Sequence, residues 1–157
     1  MMNNNQLTEI VKKVVADQQK DYFSLEKMEK VINAAVAHAN RLNIGVTIVI
    51  MRNDQVVQMS YHMPNAILVS STMAPKKAWT ALAMKMPTKD LARQVQPGAP
   101  LYQMETMMDG KFTSCGGGRP LIVKGKLIGS IGVSGGTVEQ DHVICTTAVD
   151  AFLKESE

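Results

Sequence analysis

The chain has 157 residues and a mass of 17.2 kDa, with 45% hydrophobic and 20% charged residues. This is the balance of one globular domain and excludes disorder over most of the length. A net charge of +3 is too small to indicate nucleic-acid binding on its own. No stretch approaches the roughly 20 apolar residues of a membrane span, and residues 1–6 lack the profile of a secretion signal. We therefore expect a soluble cytoplasmic protein that binds neither nucleic acid nor membrane.

Two helices are predicted at the amino end. The first covers residues 6–20, because apolar residues recur there at helical spacing. The second begins at Ser24, whose hydroxyl is expected to cap it, and ends near Asn43. The apolar stripe of the first helix consists of Leu7, Ile10, Val11 and Val14.

A β-hairpin follows the second helix. Residues 44–51 are predicted to be a strand with apolar residues on both faces, residues 52–55 supply a turn, and residues 56–61 return as the second strand. We expect this hairpin to be buried largely on both sides.

The middle of the chain predicts one long helix and two short ones. The long helix is expected to open at Pro64 and to run to about Met86. Pro75 removes one backbone hydrogen bond and crowds the preceding turn, so a kink or a break is expected at Ala74. Short helices are predicted over residues 87–93 and 101–108.

The last third is predicted to contain three strands and a helix. The strands cover residues 111–115, 120–124 and 126–134, and the helix runs from Val138 to about Leu153 behind a capping box of Thr137 and Gln140. The element order indicates an α/β protein of the α+β type, with a five-stranded antiparallel sheet and helices packed on it.

Two glycine-rich segments are candidates for ligand binding. Gly116, Gly117 and Gly118 precede Arg119, and together they offer exposed amides and a fixed cation to an anionic or planar ligand. Ser134, Gly135 and Gly136 lead into the amino end of a helix, which favours a carboxylate or a phosphate. The alternatives are structural: a sharp strand entry for the first segment and a helix cap for the second.

Single residues add less specific signals. Lys77 lies on the long central helix and would pair with an anionic substituent if that helix borders the glycine segments; the alternative is an exposed lysine. The three histidines show no metal-ligand spacing, so no zinc or non-haem iron site is predicted. His62 is the candidate axial ligand of a haem, whereas His38 is interpreted as a core residue.

The cysteines and methionines indicate packing more than chemistry. Cys115 and Cys145 are expected to be reduced thiols, with Cys145 buried and Cys115 accessible. Twelve methionines against seven aromatic residues either fill an irregular core or line an adaptable apolar pocket.

Several of these motifs resemble the signature of the GlcG/HbpS family, also described as the PduO carboxy-terminal or haem-degrading domain family. The resemblance covers roughly residues 24–153. It rests on four groups of residues: Gly117-Gly118-Arg119-Pro120; the run from Ile128 to Gly136; Glu139-Gln140-Asp141; and the helical motif around Lys77-Ala78 with Pro87-Thr88. His142 stands where an acidic residue often follows in the family, and Pro75 also departs from the pattern.

The resemblance implies a profilin-like fold with helices on both faces of the sheet, and a homo-oligomer. Residues 1–23 would be an amino-terminal helical extension and residues 24–157 the GlcG/HbpS-like domain. It also implies a ligand-binding protein for haem or another tetrapyrrole, with a possible accessory role in diol, glycerol or glycolate utilisation. The macrocycle would lie on a methionine-rich surface, and its propionates would meet Lys77, Arg119 and the amides of both glycine segments.

Two other functions remain open from the sequence. The same amides would hold the carboxylate of a small anionic metabolite in an enzyme, although the sequence identifies no catalytic residue. Alternatively, the chain is a non-catalytic accessory subunit of a larger enzyme, whose amino-terminal helix faces the partner because its apolar stripe must be buried somewhere.

Overall fold

The computed structural model describes residues 3–18 and 21–156, and it contains six helices and four strands there. In chain order these are α1 (Asn4–Gln18), α2 (Leu25–Arg41), β1 (Thr47–Arg52), β2 (Val57–His62), α3 (Val69–Met84), α4 (Thr88–Leu91), α5 (Met104–Met107), β3 (Gly118–Val123), β4 (Lys126–Ser134) and α6 (Val138–Lys154). None of these helices is long and apolar enough to cross a bilayer.

The strands form one antiparallel sheet in the order β2-β1-β4-β3. The α+β class and the antiparallel sheet are as predicted, but the sheet has four strands in the described part of the chain and not five. The prediction of a strand over residues 111–115 is wrong. Backbone N–H groups of that segment donate to side chains instead: Thr113 to Thr80 Oγ1 at 3.0 Å and Ser114 to Glu105 Oε1 at 2.8 Å.

Helices cover both faces of the sheet. On one face α2 and α6 enclose the larger core, which includes Ile48, Ile131 and Phe152. On the other face α3 packs Ala74 and Ala78 against Val49 and Met51. The alternation of side chains along β1 therefore divides its apolar residues between two helical layers.

The hairpin prediction is correct in position and wrong in burial for its second strand. Every residue of β1 up to Met51 is buried, whereas β2 is largely exposed. The physical reason is the strand order, because β2 lies at the edge of the sheet and pairs only with β1.

The long central helix is neither broken nor as long as predicted. It begins at Val69 and continues through Pro75 to Met84, so the prediction of a break at Ala74 is wrong. Ala74 and Ala78, on either side of the proline, are fully buried against the sheet. Tertiary packing therefore maintains the helix in spite of the missing hydrogen bond.

The two predicted amino-terminal caps differ in outcome. Thr137 and Gln140 form the capping box of α6, with Gln140 N–H donating to Thr137 Oγ1 at 3.2 Å and Thr137 N–H donating to Gln140 Oε1 at 2.9 Å. Ser24 occupies the cap position of α2, but its side chain makes no capping hydrogen bond, so that detail of the prediction is wrong.

The methionines and α1 occupy contrasting environments. Met84, Met86, Met104 and Met108 pack around a satellite core of Leu91, Val95 and Phe112. Core filling therefore accounts for these four methionines. By contrast, the apolar residues of α1 whose side chains are described remain exposed: Leu7, Ile10 and Val11. Val14 lies in α1, but its side chain is outside the described residues.

Candidate functional site

The glycines of β3 and β4 let α3 lie directly on the sheet. A Cβ atom at Gly132 would collide with Ala74 O, and one at Gly118 would collide with Lys77 O. These two glycines are therefore required by close packing between a helix backbone and a sheet. The structural alternative accounts for Gly118 without a ligand.

The side chain of Lys77 extends from α3 past the start of β3 to α6, on the opposite face of the sheet. Its ammonium group is buried, with a side chain only 3% exposed, and it donates to Asp141 Oδ2 at 2.6 Å and to Val133 O at 3.1 Å. Gly117 makes room for this crossing, since it has a φ of +121° and a Cβ there would lie 3.1 Å from Lys77 Nζ. Lys77 therefore has its anionic partner within the chain.

The amides before α6 meet the same carboxylate. Gly136 N–H donates to Asp141 Oδ1 at 2.8 Å. Burial raises the pKa of Asp141 above its usual value, while the Lys77 ammonium and the amides of Gly136 and Gly135 act in the opposite direction. Ser134 is buried and lies opposite Thr47 in the sheet. The amides before α6 thus bind an internal carboxylate, and ligand binding by the glycine segments stays a prediction.

Asp141 is the residue whose role the sequence did not reveal. It stands in the first turn of α6 and is 2% exposed. Acidic residues are common in the first turn of a helix because they favour its dipole. That position alone does not indicate an ion pair, and only the fold shows that Asp141 lies beside Lys77.

Arg119 lies on the α6 side of the sheet. Its Nη1 donates to Thr146 Oγ1 at 2.9 Å, and its Nε is out of solvent contact without a hydrogen-bond partner in the described part of the chain. His142, one turn before Thr146 on α6, has a buried Nδ1 that also has no partner there. Gly116 lies between α6 and α4, because a Cβ on it would be 3.0 Å from Val138 Cγ1 and 3.4 Å from Lys89 Cβ.

His62 is held by a chain of hydroxyl groups on the other face. Its Nδ1 lies 2.7 Å from Thr47 Oγ1, which lies 2.6 Å from Ser70 Oγ, and Ser70 Oγ donates to Ile67 O at 2.6 Å. Each hydroxyl has one hydrogen. Because Ser70 donates to Ile67 O, Thr47 must donate to Ser70 and accept from His62. The network therefore places the His62 proton on Nδ1 and leaves a free electron pair on Nε2.

The structure separates His62 from Arg119. They lie in β2 and β3, at opposite edges of the sheet. His62 is linked through Thr47 to Ser70 of α3, whereas Arg119 donates to Thr146 of α6 on the opposite face. Three strand spacings make the edges about 14 Å apart. Arg119 lies in β3 at one edge of the sheet and His62 in β2 at the other, whereas Ser134 ends the interior strand β4, and Gly135 and Gly136 follow it.

His38 is half-buried on α2, and its Nδ1 lies 2.6 Å from Thr147 Oγ1. It therefore has a partner within the fold, as the interpretation of a satisfied residue requires. Among residues 3–18 and 21–156 no group of three or more His, Cys, Asp or Glu side chains could hold a metal ion. Cys115 is exposed and Cys145 is buried, as predicted.

The comparisons with known proteins point to one family. The sequence model of the HbpS-like haem degrading proteins matches residues 23–150. Corrinoid adenosyltransferase PduO of Citrobacter freundii is 46% identical over 130 residues, which cover 83% of this chain and 39% of the relative. The chain thus matches well under half of that longer protein.

Two further relatives match along most of their length. An uncharacterized 15.0 kDa protein of the dhaT-dhaS intergenic region of Citrobacter freundii is 35% identical over 83% of this chain and 92% of its own. The crystal structure of a PduOC:heme complex superposes with a TM-score of 0.79 at 45% identity, covering 82% of this chain and 93% of the other.

Proposed function

We propose that this chain, which belongs to the HbpS-like haem degrading protein family, is a haem-binding module that holds the iron at His62. The observation that carries the assignment of the ligand is the hydroxyl chain from His62 through Thr47 to Ser70. A histidine that ligates a metal generally donates its second ring N–H to a fixed acceptor, and this network supplies that acceptor. Haem binding itself is supported by the 45% identical relative in complex with heme.

An exposed apolar surface, suited to a haem macrocycle, lies at the start of α3. Ile67, Leu68 and Val69 are 57%, 84% and 57% exposed, and they form an unbroken apolar run at the start of α3. Ser70 ties this run to Thr47 and hence to His62. Contiguous exposed apolar side chains on a soluble domain are typical of a binding surface. Burial of these three side chains would therefore contribute to haem affinity.

Lys77 has a different part in this proposal from the one that the sequence suggested. Its ammonium group is paired with Asp141, so it holds the glycine segments together and does not contact a propionate. Gly117 then makes room for the Lys77 ammonium group, and the amides of Gly135 and Gly136 stabilise the Asp141 carboxylate. Arg119 remains the cation with donor capacity for an acidic group.

The test is a titration of the purified chain with haemin, followed by the Soret absorption. The wild type is expected to show a saturable shift at one site per chain, and His62→Ala is expected to abolish it. Thr47→Val, which keeps the shape and removes the hydroxyl, is expected to weaken binding by roughly 10- to 100-fold. A linear, unsaturable response of the wild type contradicts haem binding.

Two matched controls separate the ligand from its alternatives. His38→Ala removes the other histidine with a hydroxyl partner and is expected to leave the titration unchanged. If His38→Ala abolishes binding and His62→Ala does not, the axial ligand is not His62. Leu68→Ser is expected to weaken haemin binding. Met107→Ser, which changes a residue 71% exposed on α5, is expected to leave it unchanged. The reverse result would indicate that the macrocycle binds at the methionine-rich surface instead.

A second function is favoured by one specific observation, the exposed apolar stripe of α1. Leu7, Ile10 and Val11 are 53%, 47% and 53% exposed, so this helix presents an amphipathic face outside the matched family region. An accessory role in assembly would use that face for a partner. Deletion of residues 1–20 should then change the oligomer mass by light scattering or the capture of a partner. An unchanged mass together with unchanged capture contradicts this role.

The setting proposed for either function is diol, glycerol or glycolate utilisation, as an oligomer of identical cytoplasmic chains. Its support is the family resemblance and the similarity to the PduO protein and to the protein of the dhaT-dhaS region. Light scattering of the purified chain measures the oligomer directly. A monomer at micromolar concentration would contradict that part of the proposal.

A further inference from the structure

Arg119 keeps one side of its guanidinium group unpaired. The hydrogen bond to Thr146 uses Nη1, and Thr146 in turn donates to His142 O at 2.9 Å, which fixes the arginine along α6. Nε has no partner among the described residues and is out of solvent contact. The side of the guanidinium formed by Nε and Nη2 is one of its two-pronged donor edges, and a carboxylate fits such an edge with two parallel hydrogen bonds.

His142 adds a second unsatisfied nitrogen atom at the same place. Its Nδ1 is buried without a partner in the part of the chain that the structure describes, although the residue as a whole is only partly buried. Leaving a buried donor or acceptor unpaired costs free energy, so two such atoms on neighbouring side chains need an explanation. A ligand with acceptor oxygens would satisfy both.

We propose that Arg119 and His142 form a binding site for the carboxylate group of a small ligand, with Arg119 as the two-pronged donor and His142 beside it. Lys89 of α4 adds positive charge that acts on His142. Gly116 lies between α4 and α6, where a Cβ would be 3.0 Å from Val138 Cγ1 and 3.4 Å from Lys89 Cβ. The carboxylate belongs either to a free small acid or to a propionate of haem. Both sources share this chemistry, and the experiment distinguishes them.

His142 makes the site sensitive to pH. Burial lowers the pKa of His142, and Lys89 and Arg119 lower it further, while Asp90 and Glu139 act in the opposite direction. The imidazole is therefore neutral at pH 7 without ligand. A bound carboxylate favours its protonated form, so binding takes up a proton and the affinity must rise as the pH falls.

The free-acid arm of the test uses acetate as the probe on the full chain. NMR of the histidine ring nitrogen atoms follows the pKa of His142, and acetate is expected to raise it. Arg119→Met is expected to weaken acetate binding by at least about tenfold. Arg93→Gln is the matched control, since Arg93 is an exposed arginine of the same region and its loss removes the same charge. It is expected to leave binding unchanged.

The propionate arm repeats the haemin titration with Arg119→Met and with His142→Asn. Weaker haemin binding with no response to acetate identifies a propionate as the source, and the opposite pattern identifies a free acid. If acetate does not shift the pKa of His142 and Arg119→Met binds haemin like the wild type, the proposal is overturned. Failure of haem binding by the wild type would overturn the proposed function and leave the acetate arm as the deciding measurement.

Discussion

Replacement of Lys77 by methionine tests whether the buried ion pair stabilises the fold. Methionine retains most of the length of the side chain and removes its charge, so Asp141 would stay buried beside the amides of Gly136 and Gly135 without a cation. Removing one member of a buried ion pair costs about 3–5 kcal/mol because the other charge remains uncompensated. We therefore expect Lys77→Met to lower the free energy of unfolding by about that amount in urea denaturation at pH 7.

The control for this prediction is the preceding residue. Lys76 is partly buried and has no ion pair within the described residues, so Lys76→Met is expected to change stability by less than about 1 kcal/mol. A double variant of Lys77→Met with Asp141→Asn removes the uncompensated charge and keeps an acceptor for Gly136. The loss in free energy of unfolding of the double variant should be smaller than the sum of the losses of the two single variants by about 0.5–3 kcal/mol. Equal losses for Lys76→Met and Lys77→Met would refute the reasoning.

The loss of stability caused by Lys77→Met is expected to depend on pH. Lys77 is the largest influence that lowers the pKa of Asp141, so its removal raises the pKa of that carboxyl further above the unfolded value of 3.8. The folded variant then binds a proton at pH values where the unfolded chain does not. The penalty of Lys77→Met must therefore shrink as the pH falls through the folded pKa toward 3.8. A penalty that stays constant between pH 7 and pH 4.5 would show that Asp141 is not the residue left unpaired.

Three further predictions follow from the packing. Gly132→Ala is expected to destabilise the fold by about 1–3 kcal/mol in urea, because the new Cβ collides with Ala74 O; stability equal to that of the wild type would mean that α3 moves away without cost. Thr137→Ala removes the capping box of α6 and is expected to lower the free energy of unfolding by about 0.5–2 kcal/mol. Ser24→Ala, at a position without a side-chain capping bond, is expected to lower it much less. Equal losses would contradict the assignment of the caps. Burial raises the pKa of Cys145 to about 12, so a thiol reagent should label only Cys115 in the folded protein at pH 8, and labelling of both thiols before unfolding would contradict the burial.

Local signals in the sequence were enough for most elements. The capping box of α6 depends on residues three apart, and β4 contains Leu127, Ile128, Ile131 and Val133 after the turn at Gly125, so both could be located from the chain alone. The strand predicted at residues 111–115 has a similar pattern but is not a strand. Its N–H groups are satisfied by Thr80 and Glu105, which lie 33 and 9 residues away from the amides that they bind. Nothing local to the segment indicates those partners.

The candidate site was predictable in composition and not in arrangement. The glycines, Lys77 and Arg119 are all evident in the sequence, and both glycine segments lie beside the Lys77–Asp141 ion pair. The partner of Lys77 is 64 residues further along the chain, so its burial could not be read from the surrounding helix. The hydroxyl chain of His62 likewise depends on Thr47 and Ser70, which only the pairing of β1 with β2 and the packing of α3 bring together.

The distance between His62 and Arg119 makes a final prediction about assembly. Their strands are at opposite edges of the sheet, about 14 Å apart. His62 is linked through Thr47 to α3, whereas Arg119 donates to α6 on the opposite face. A haem that one copy holds at His62 therefore cannot place a propionate on Arg119 of the same copy. If Arg119→Met weakens haemin binding, the arginine must come from a second copy. A mixture of His62→Ala and Arg119→Met chains should then regain part of the lost haemin binding, because some mixed oligomers combine an intact His62 with an intact Arg119. Mixed samples that bind no more haemin than the average of the two separate variants, although both variants are impaired and mass spectrometry shows that subunits exchange, would contradict a site shared between copies.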